Sequence, residues 1–101
     1  MSKRTRMTPQ ARKEDILKAA LLLAEKHGYA QITRGEVGAA AGVSGTAVQY
    51  HFTTMSQFRR DLMRYAVKQR CAPVVAQGLA MRDPHAQKAD AELRRAARGS
   101  L

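Results

Sequence analysis

Apolar side chains recur at helical spacing through much of the chain, and the first such run follows Thr8 and Pro9. Thr8 is a helix cap, and Pro9 suits the first helical position because an N–H there has no intrahelical partner. Gly28 is typical of a helix C-terminus. The pattern predicts a long helix up to about Gly28, with Tyr29 and Ile32 covering the core behind it. Its inward positions are Ile16, Leu17, Ala20, Leu21, Leu23, Ala24 and His27.

Two shorter helices joined by a tight turn are predicted between Thr33 and Phe52. Thr33 and Glu36 have the spacing of a capping box, so the first helix begins near Arg34. Gly42 lies where a left-handed backbone ends that helix. A glycine inside a helix costs about 1 kcal/mol relative to alanine, so we expect Gly38 at a close crossing of the two helices, as in a helix-turn-helix.

The second short helix begins after Ser44, whose hydroxyl is a preferred N-cap. Ala47 and Val48 are expected to point inward, leaving Gly45, Thr46, Gln49 and Tyr50 outward. Spacing alone also fits a helical hairpin of another function with small residues at its crossing. Charge and context favour DNA binding.

A fourth helix is predicted from Thr54, which forms a second capping box with Gln57, to about Arg70. Its inward positions are Phe58, Leu62, Tyr65 and Ala66, and its outward basic positions are Arg59, Arg60, Arg64, Lys68 and Arg70. Pro73 is expected to end this helix, because the residue before a proline disfavours helix.

The remaining residues predict weaker elements. An apolar segment around Val74 and Leu79 is interrupted by Gly78, and Asp83 with Pro84 marks another helix start. From His85 to Arg98 only a narrow seam is apolar, which predicts a helix that needs a partner or frays in solution. The seam consists of Ala86, Ala89, Leu93 and Ala97.

These patterns predict an all-α fold: a small helical bundle with a homeodomain-like helix-turn-helix, about four helices and one or two short C-terminal ones. Residues 1–8 form a basic arm, 9–72 a DNA-binding domain, and 73–101 a C-terminal extension with a possible role in dimerisation. Lys3, Arg4 and Arg6 in the arm favour either a minor-groove or phosphate contact or a solubilising tail, and both remain open.

Composition narrows the function classes. The net charge is +10, from 18 Lys and Arg against 8 Asp and Glu, which favours a polyanionic partner. No apolar run approaches the roughly 18 residues of a membrane span, and no secretory signal is visible, so we expect a cytoplasmic protein.

Cys71 is the only cysteine, which excludes internal disulfides and thiolate zinc clusters. The sequence contains no catalytic motif such as G-x-S-x-G or the P-loop, so we do not expect an enzyme. We also expect no bound metal and no cofactor.

One set of residues lies at a specific spacing between about Ala11 and Lys68: Ile16-Leu17-x-x-Ala20, Gly28-Tyr29, Thr33, Val37, Ala41-Gly42-Val43-Ser44, Val48 and His51-Phe52. Over this stretch the chain resembles the DNA-binding domain of TetR/AcrR transcriptional regulators. The resemblance implies that the second short helix lies in the major groove of DNA. The residues it would turn to DNA are Gly45, Thr46, Ala47, Gln49 and Tyr50. Ser44 would cap the helix, His51 would approach a phosphate, and Arg34 would lie near the backbone.

The chain departs from the family in three respects. Gln49 replaces the usual tyrosine and offers a bidentate contact to adenine. Met55 replaces a lysine, so a phosphate contact is lost unless Arg59 or Arg60 supplies it. Family members also continue into a larger domain that binds an inducer and forms the dimer, whereas about thirty residues follow the match here.

We therefore expect a sequence-specific regulator, most simply a repressor without a small-molecule inducer. It would bind a two-fold operator of double-stranded DNA as a homodimer formed through residues 73–101. The alternatives are a non-specific, nucleoid-type DNA-binding protein and, with less support, a protein-interaction adaptor whose basic faces are merely solvated.

Overall fold

The computed structural model describes residues 8–99, and within them the chain forms seven α-helices. They are α1 (Pro9–His27), α2 (Arg34–Ala41), α3 (Gly45–Phe52), α4 (Met55–Lys68), α5 (Ala72–Ala80), α6 (Pro84–Gln87) and α7 (Ala91–Gly99). The predicted all-α class and its four leading helices are confirmed. The C-terminal part contains three short helices, where the sequence predicts one or two. Within residues 8–99, none of the helices combines the length and the apolar character that a membrane span needs.

Hydroxyl caps begin the first three helices as predicted. Thr8, Thr33 and Ser44 accept the backbone N–H of Ala11, Glu36 and Ala47 at 3.1, 3.2 and 3.0 Å. The capping box of α2 is complete, because the Glu36 carboxylate also accepts the Thr33 N–H at 2.8 Å.

The second predicted capping box is only half formed. Thr54 accepts the N–H of Gln57 at 3.0 Å, but the Gln57 side chain does not return to Thr54. It donates to Asp61 at 3.0 Å and accepts from Arg60 at 2.7 Å. Charged partners three and four residues further along the helix thus take the side chain that the box would have used.

One apolar core is shared by all seven helices. Phe52 of α3 meets Phe58 of α4 edge to face, with ring centroids 5.0 Å apart. Tyr29 and Ile32 cover the core as predicted, at 5% and 2% exposure. Met63, which the sequence pattern misses, is fully buried, whereas His27 at the predicted inward stripe of α1 is exposed. His27 nevertheless lies in the last turn of α1, where a cation is favoured by the helix dipole.

The boundary between α4 and α5 differs from the prediction. α4 ends at Lys68, and Arg70 adopts a left-handed φ of 56°. Pro73 does not merely end α4; it is the second residue of α5, a position where the missing N–H is harmless.

Gly78 lies inside α5 and does not interrupt it. A Cβ at Gly78 would lie 2.6 Å from the Met63 Cε atom and 2.7 Å from the Ala86 Cβ atom. The predicted break is therefore wrong: the glycine lets α4 and α6 approach α5 closely, and a sequence alone does not distinguish that role from a helix break.

The predicted seam of the last segment is buried within the chain itself. Ala86, Ala89, Leu93 and Ala97 are all at most 4% exposed, and α7 packs against α5. The expectation that this seam needs an outside partner or frays is therefore wrong. Asp90 begins α7 by accepting the Leu93 N–H at 2.8 Å and pairs with Arg70 at 2.7 Å.

Candidate nucleic-acid interface

Helix α3 is held by its inner face and presents a polar outer face. Val48 and Phe52 are 1% and 2% exposed, so they anchor the helix to the core. Thr46, Gln49 and Tyr50 are exposed, and the Tyr50 side chain is 81% exposed. The apolar pattern predicts that Ala47 points inward, whereas the family resemblance implies that it faces DNA. Ala47 is half-buried, so its exposure is intermediate between the two predictions.

The crossing of α2 and α3 depends on Gly38. A Cβ at Gly38 would lie 2.7 Å from the carbonyl oxygen of Val43, and Cβ atoms in proteins essentially never come within 3.0 Å of such an atom. The Val43 N–H donates to the Gly38 carbonyl at 2.9 Å, and Gly42 turns the chain with a left-handed φ of 74°. The predicted helix-turn-helix geometry is thus present, and two glycines allow it.

Arg34 lies beside the N-terminus of α3. A Cβ at Gly45 would lie 3.7 Å from the Arg34 Cγ atom and 3.9 Å from its Cδ atom, so the aliphatic part of Arg34 runs along the first turn of α3. Arg34 is half-exposed. The start of α3 therefore combines a guanidinium with the positive end of a helix dipole, an arrangement that favours a phosphate.

His51 lies in the last turn of α3, at the end away from Arg34. It is half-buried, and its ring meets Tyr50 edge to face at 5.1 Å between centroids. Helix geometry separates the two ends of α3 by about 10 Å. The two predicted phosphate contacts therefore flank the outer face that carries Gln49.

Arg59 and Arg60 are the two residues that could replace the lysine absent at Met55. Arg59 is half-buried in a cleft with Tyr29 and Asp83, and its Nε atom is buried without a hydrogen-bond partner. Arg60 is exposed, and it donates to the Gln57 side chain at 2.7 Å. Arg60 is thus the more accessible of the two.

A hydrogen-bonded connection ties the loop before α2 to the C-terminal helices. The Gln77 side chain accepts the Tyr29 N–H at 2.7 Å and donates to the Ala24 carbonyl at 2.9 Å. The Tyr29 hydroxyl donates to Asp83 at 3.0 Å. Burial, and then the contact with Asp83, raise the pKa of Tyr29 well above its usual range.

Sequence reasoning identified Tyr29 as a lid but missed Gln77 and Asp83 as its partners. Gln77 and Asp83 lie 48 and 54 residues from Tyr29 along the chain, and no local pattern relates them. The predicted contacts of Lys3, Arg4 and Arg6 fall outside the described residues. Residues 8–99 contain no group of three or more His, Cys, Asp or Glu side chains placed to hold a metal ion.

Comparison with models of protein families gives a match to the middle of the chain. A family model described as bacterial regulatory proteins of the tetR family matches residues 16–62. The matched segment runs from within α1 to within α4, and it contains α2, the turn at Gly42 and all of α3. Neither a curated protein nor a solved structure matches the chain.

Proposed function

Because the chain carries, at residues 16–62, a DNA-binding domain of the tetR family of bacterial regulatory proteins, we propose that it is a sequence-specific transcriptional regulator. In this proposal α3 enters the major groove of double-stranded DNA, and Gln49 reads a base edge. The observation that carries it is the outer face of α3, which is polar and exposed while Val48 and Phe52 fix the helix to the core.

The contacts fall into two classes in this proposal. Gly45, Thr46, Ala47, Gln49 and Tyr50 face the groove. Arg34, His51 and the Ser44-capped start of α3 approach phosphates, which position the protein without carrying sequence information. Lys3, Arg4 and Arg6 extend the contact along the backbone or into the minor groove.

Repression without a small-molecule inducer is part of the proposal. A protein on a promoter blocks it by occupying the DNA. Among the described residues, the clefts lined by Leu79 and Arg94 and by Tyr29 and Arg59 are open to solvent, whereas typical ligand sites enclose most of the ligand. The protein would act in the cytoplasm, where bacterial DNA is accessible to it.

A homodimer on a two-fold operator also belongs to the proposal, with half-sites about 10–10.5 bp or a multiple apart. Residues 73–101 would supply the dimer contact. Among the residues of this segment that the structure describes, the large apolar side chain exposed most is Met81, at 58%. A Met81→Glu variant should therefore be monomeric in analytical ultracentrifugation while retaining its helical circular dichroism.

The assignment of α3 is tested by determining the preferred sequence of wild type and two variants from a random duplex library. Gln49→Ala should relax the preference at one base pair, a loss of about 1–3 kcal/mol of discrimination. Arg34→Gln should weaken all duplexes alike and keep the preferred sequence. Gln69→Ala, at an exposed position after α4, is the control. An unchanged preference at every position in Gln49→Ala would show that α3 is not the reading helix.

The second candidate function is a non-specific, nucleoid-type DNA-binding protein, which the net charge of +10 favours. It predicts equal affinity for every duplex and a steep decline of affinity with salt. It does not require the close crossing at Gly38 or the ordered outer face of α3, which is why we place it second.

A further inference from the structure

Three arginines on α7 have no anionic partner within the described part of the chain. Arg94, Arg95 and Arg98 occur in none of its ion pairs. The acidic residues of the C-terminal helices are engaged elsewhere: Asp90 and Glu92 lie 2.7 and 3.7 Å from Arg70, and Asp83 accepts from Tyr29. The positive charge of α7 is therefore not neutralised within residues 8–99.

Two of these arginines line a cleft between helices. Arg94 and Arg98, one helical turn apart, line it together with Gln87 of α6 and with Leu79 and Ala80 of α5. Guanidinium groups and an amide are hydrogen-bond donors, and the planar guanidinium matches the geometry of a phosphate. The cleft is open to solvent, so a phosphate on a large molecule could reach these donors.

The arrangement is unfavourable for the isolated fold. Arg98 lies three and four residues from Arg95 and Arg94, and like charges at these spacings on a helix repel each other. The helix dipole disfavours Arg94 near the start of α7 and favours Arg98 in its last turn, so the repulsion between the arginines is the larger cost. The Nε atom of Arg94 is also buried without a hydrogen-bond partner. The apolar contact of α7 is supplied by Leu93 and Ala97, and Arg95 and Arg98 are exposed, so packing does not account for the charges of those two arginines. An anion over the cleft would relieve the repulsion.

We propose that Arg94, Arg95, Arg98 and Gln87 form a second DNA-binding surface, the α7 basic surface, which contacts backbone phosphates of duplex DNA without reading bases. This inference rests on the proposed function in that duplex DNA is again the partner. The surface is separate from the reading helix: α7 packs on α5, whereas α3 packs on α1, α2 and α4. The phosphates it binds therefore lie outside those flanking α3.

The test is the salt dependence of binding to a duplex of scrambled sequence, with the full chain and the variant Arg94→Gln/Arg98→Gln. Each phosphate contact contributes about 0.9 to the slope of log affinity against log salt. The slope of the variant should therefore be shallower than that of wild type by about 1.8. Arg94→Lys/Arg98→Lys keeps both charges and should keep most of the slope.

The matched control is Arg64→Gln/Lys68→Gln, which removes the same charge from α4. Arg64 and Lys68 each lie 3.8 Å from an acidic partner, Asp61 and Glu14, so the slope should change by less than half as much. If Arg94→Gln/Arg98→Gln fails to fold by circular dichroism, the exposed Arg98→Gln alone should lose about 0.9.

An unchanged slope in the α7 variant, or a loss equal to that of the control, would overturn the proposal. So would an unchanged DNA slope combined with lost binding to phosphatidylserine vesicles, which would assign the surface to a membrane. Competition by inorganic phosphate alone, without a change of DNA slope, would assign it to a free anion. Because the duplex is scrambled, the result is independent of sequence preference: absence of any preferred sequence would refute the proposed function and leave this test intact.

Discussion

Gly38 is the residue at which the helix-turn-helix leaves no space for a side chain. Alanine in a helix interior normally stabilises relative to glycine by about 1 kcal/mol. At Gly38 the added Cβ would lie 2.7 Å from the Val43 carbonyl oxygen and 3.1 Å from the Ser44 carbonyl carbon, and both are backbone atoms. Gly38→Ala should therefore lower the free energy of unfolding by about 1–3 kcal/mol, measured by urea denaturation.

Gly35 provides the matched control for Gly38, because it lies in the same helix and a Cβ there meets nothing within 4 Å. Gly35→Ala should leave stability unchanged or raise it. Equal effects of the two substitutions would show that the crossing of α2 and α3 is looser than the structure has it.

Tyr29 gives the fold a dependence on alkaline pH. Its pKa in the folded protein is raised, chiefly by burial and then by Asp83, above the unfolded value of about 10. The folded protein thus favours the neutral form of Tyr29. The stabilisation that this preference gives the fold is complete below about pH 10, and it is lost as the pH rises from there towards the pKa of Tyr29 in the folded protein. The urea midpoint of wild type should fall, relative to that of Tyr29→Phe, above pH 10. Parallel pH profiles for the two proteins would contradict this account.

At the scale of elements, the sequence predicted interactions between residues that are close along the chain. It did not predict contacts between residues that are far apart along the chain. Caps such as Ser44 were predictable because donor and acceptor lie three residues apart. Gly78 was misread, because the close approach of Met63 and Ala86 that requires it comes from other helices. The apolar seam of the last segment was visible in the sequence, but the helix that covers it, α5, was not, since periodicity shows that a face is apolar and not what covers it.

Helix α5 holds the loop before α2 in place through Gln77. Gln77→Ala would leave the Tyr29 N–H without its acceptor, since the Gln77 side chain accepts it at 2.7 Å. The Ala24 carbonyl would keep the N–H of Gly28 at 2.8 Å. Loss of this partly buried acceptor predicts a decrease of about 1 kcal/mol or more in the free energy of unfolding.

Gln69→Ala is the control for Gln77→Ala, because Gln69 is exposed and its replacement should change stability by less than about 0.5 kcal/mol. Both variants are compared by urea denaturation under the same conditions. A Gln77→Ala protein as stable as Gln69→Ala would mean that α5 does not hold the loop before α2.

At the scale of the whole molecule, charge and the turn motif predicted a DNA-binding class, and the family match at residues 16–62 agrees with it. The composition could not show how the positive charge is distributed. Arg70 is neutralised by Asp90 and Glu92, whereas the arginines of α7 have no such partner within residues 8–99. That division depends on how α4, α5 and α7 meet, which periodicity does not specify.

The central claim, sequence-specific DNA binding through α3, is tested most directly by fluorescence anisotropy at physiological salt. The protein is titrated onto the duplex selected from a random library and onto a scrambled duplex of equal length and composition. We predict a preference of about 10³ or more for the selected duplex, and a smaller preference for Gln49→Ala. Equal affinity of the wild-type protein for both duplexes would contradict the account.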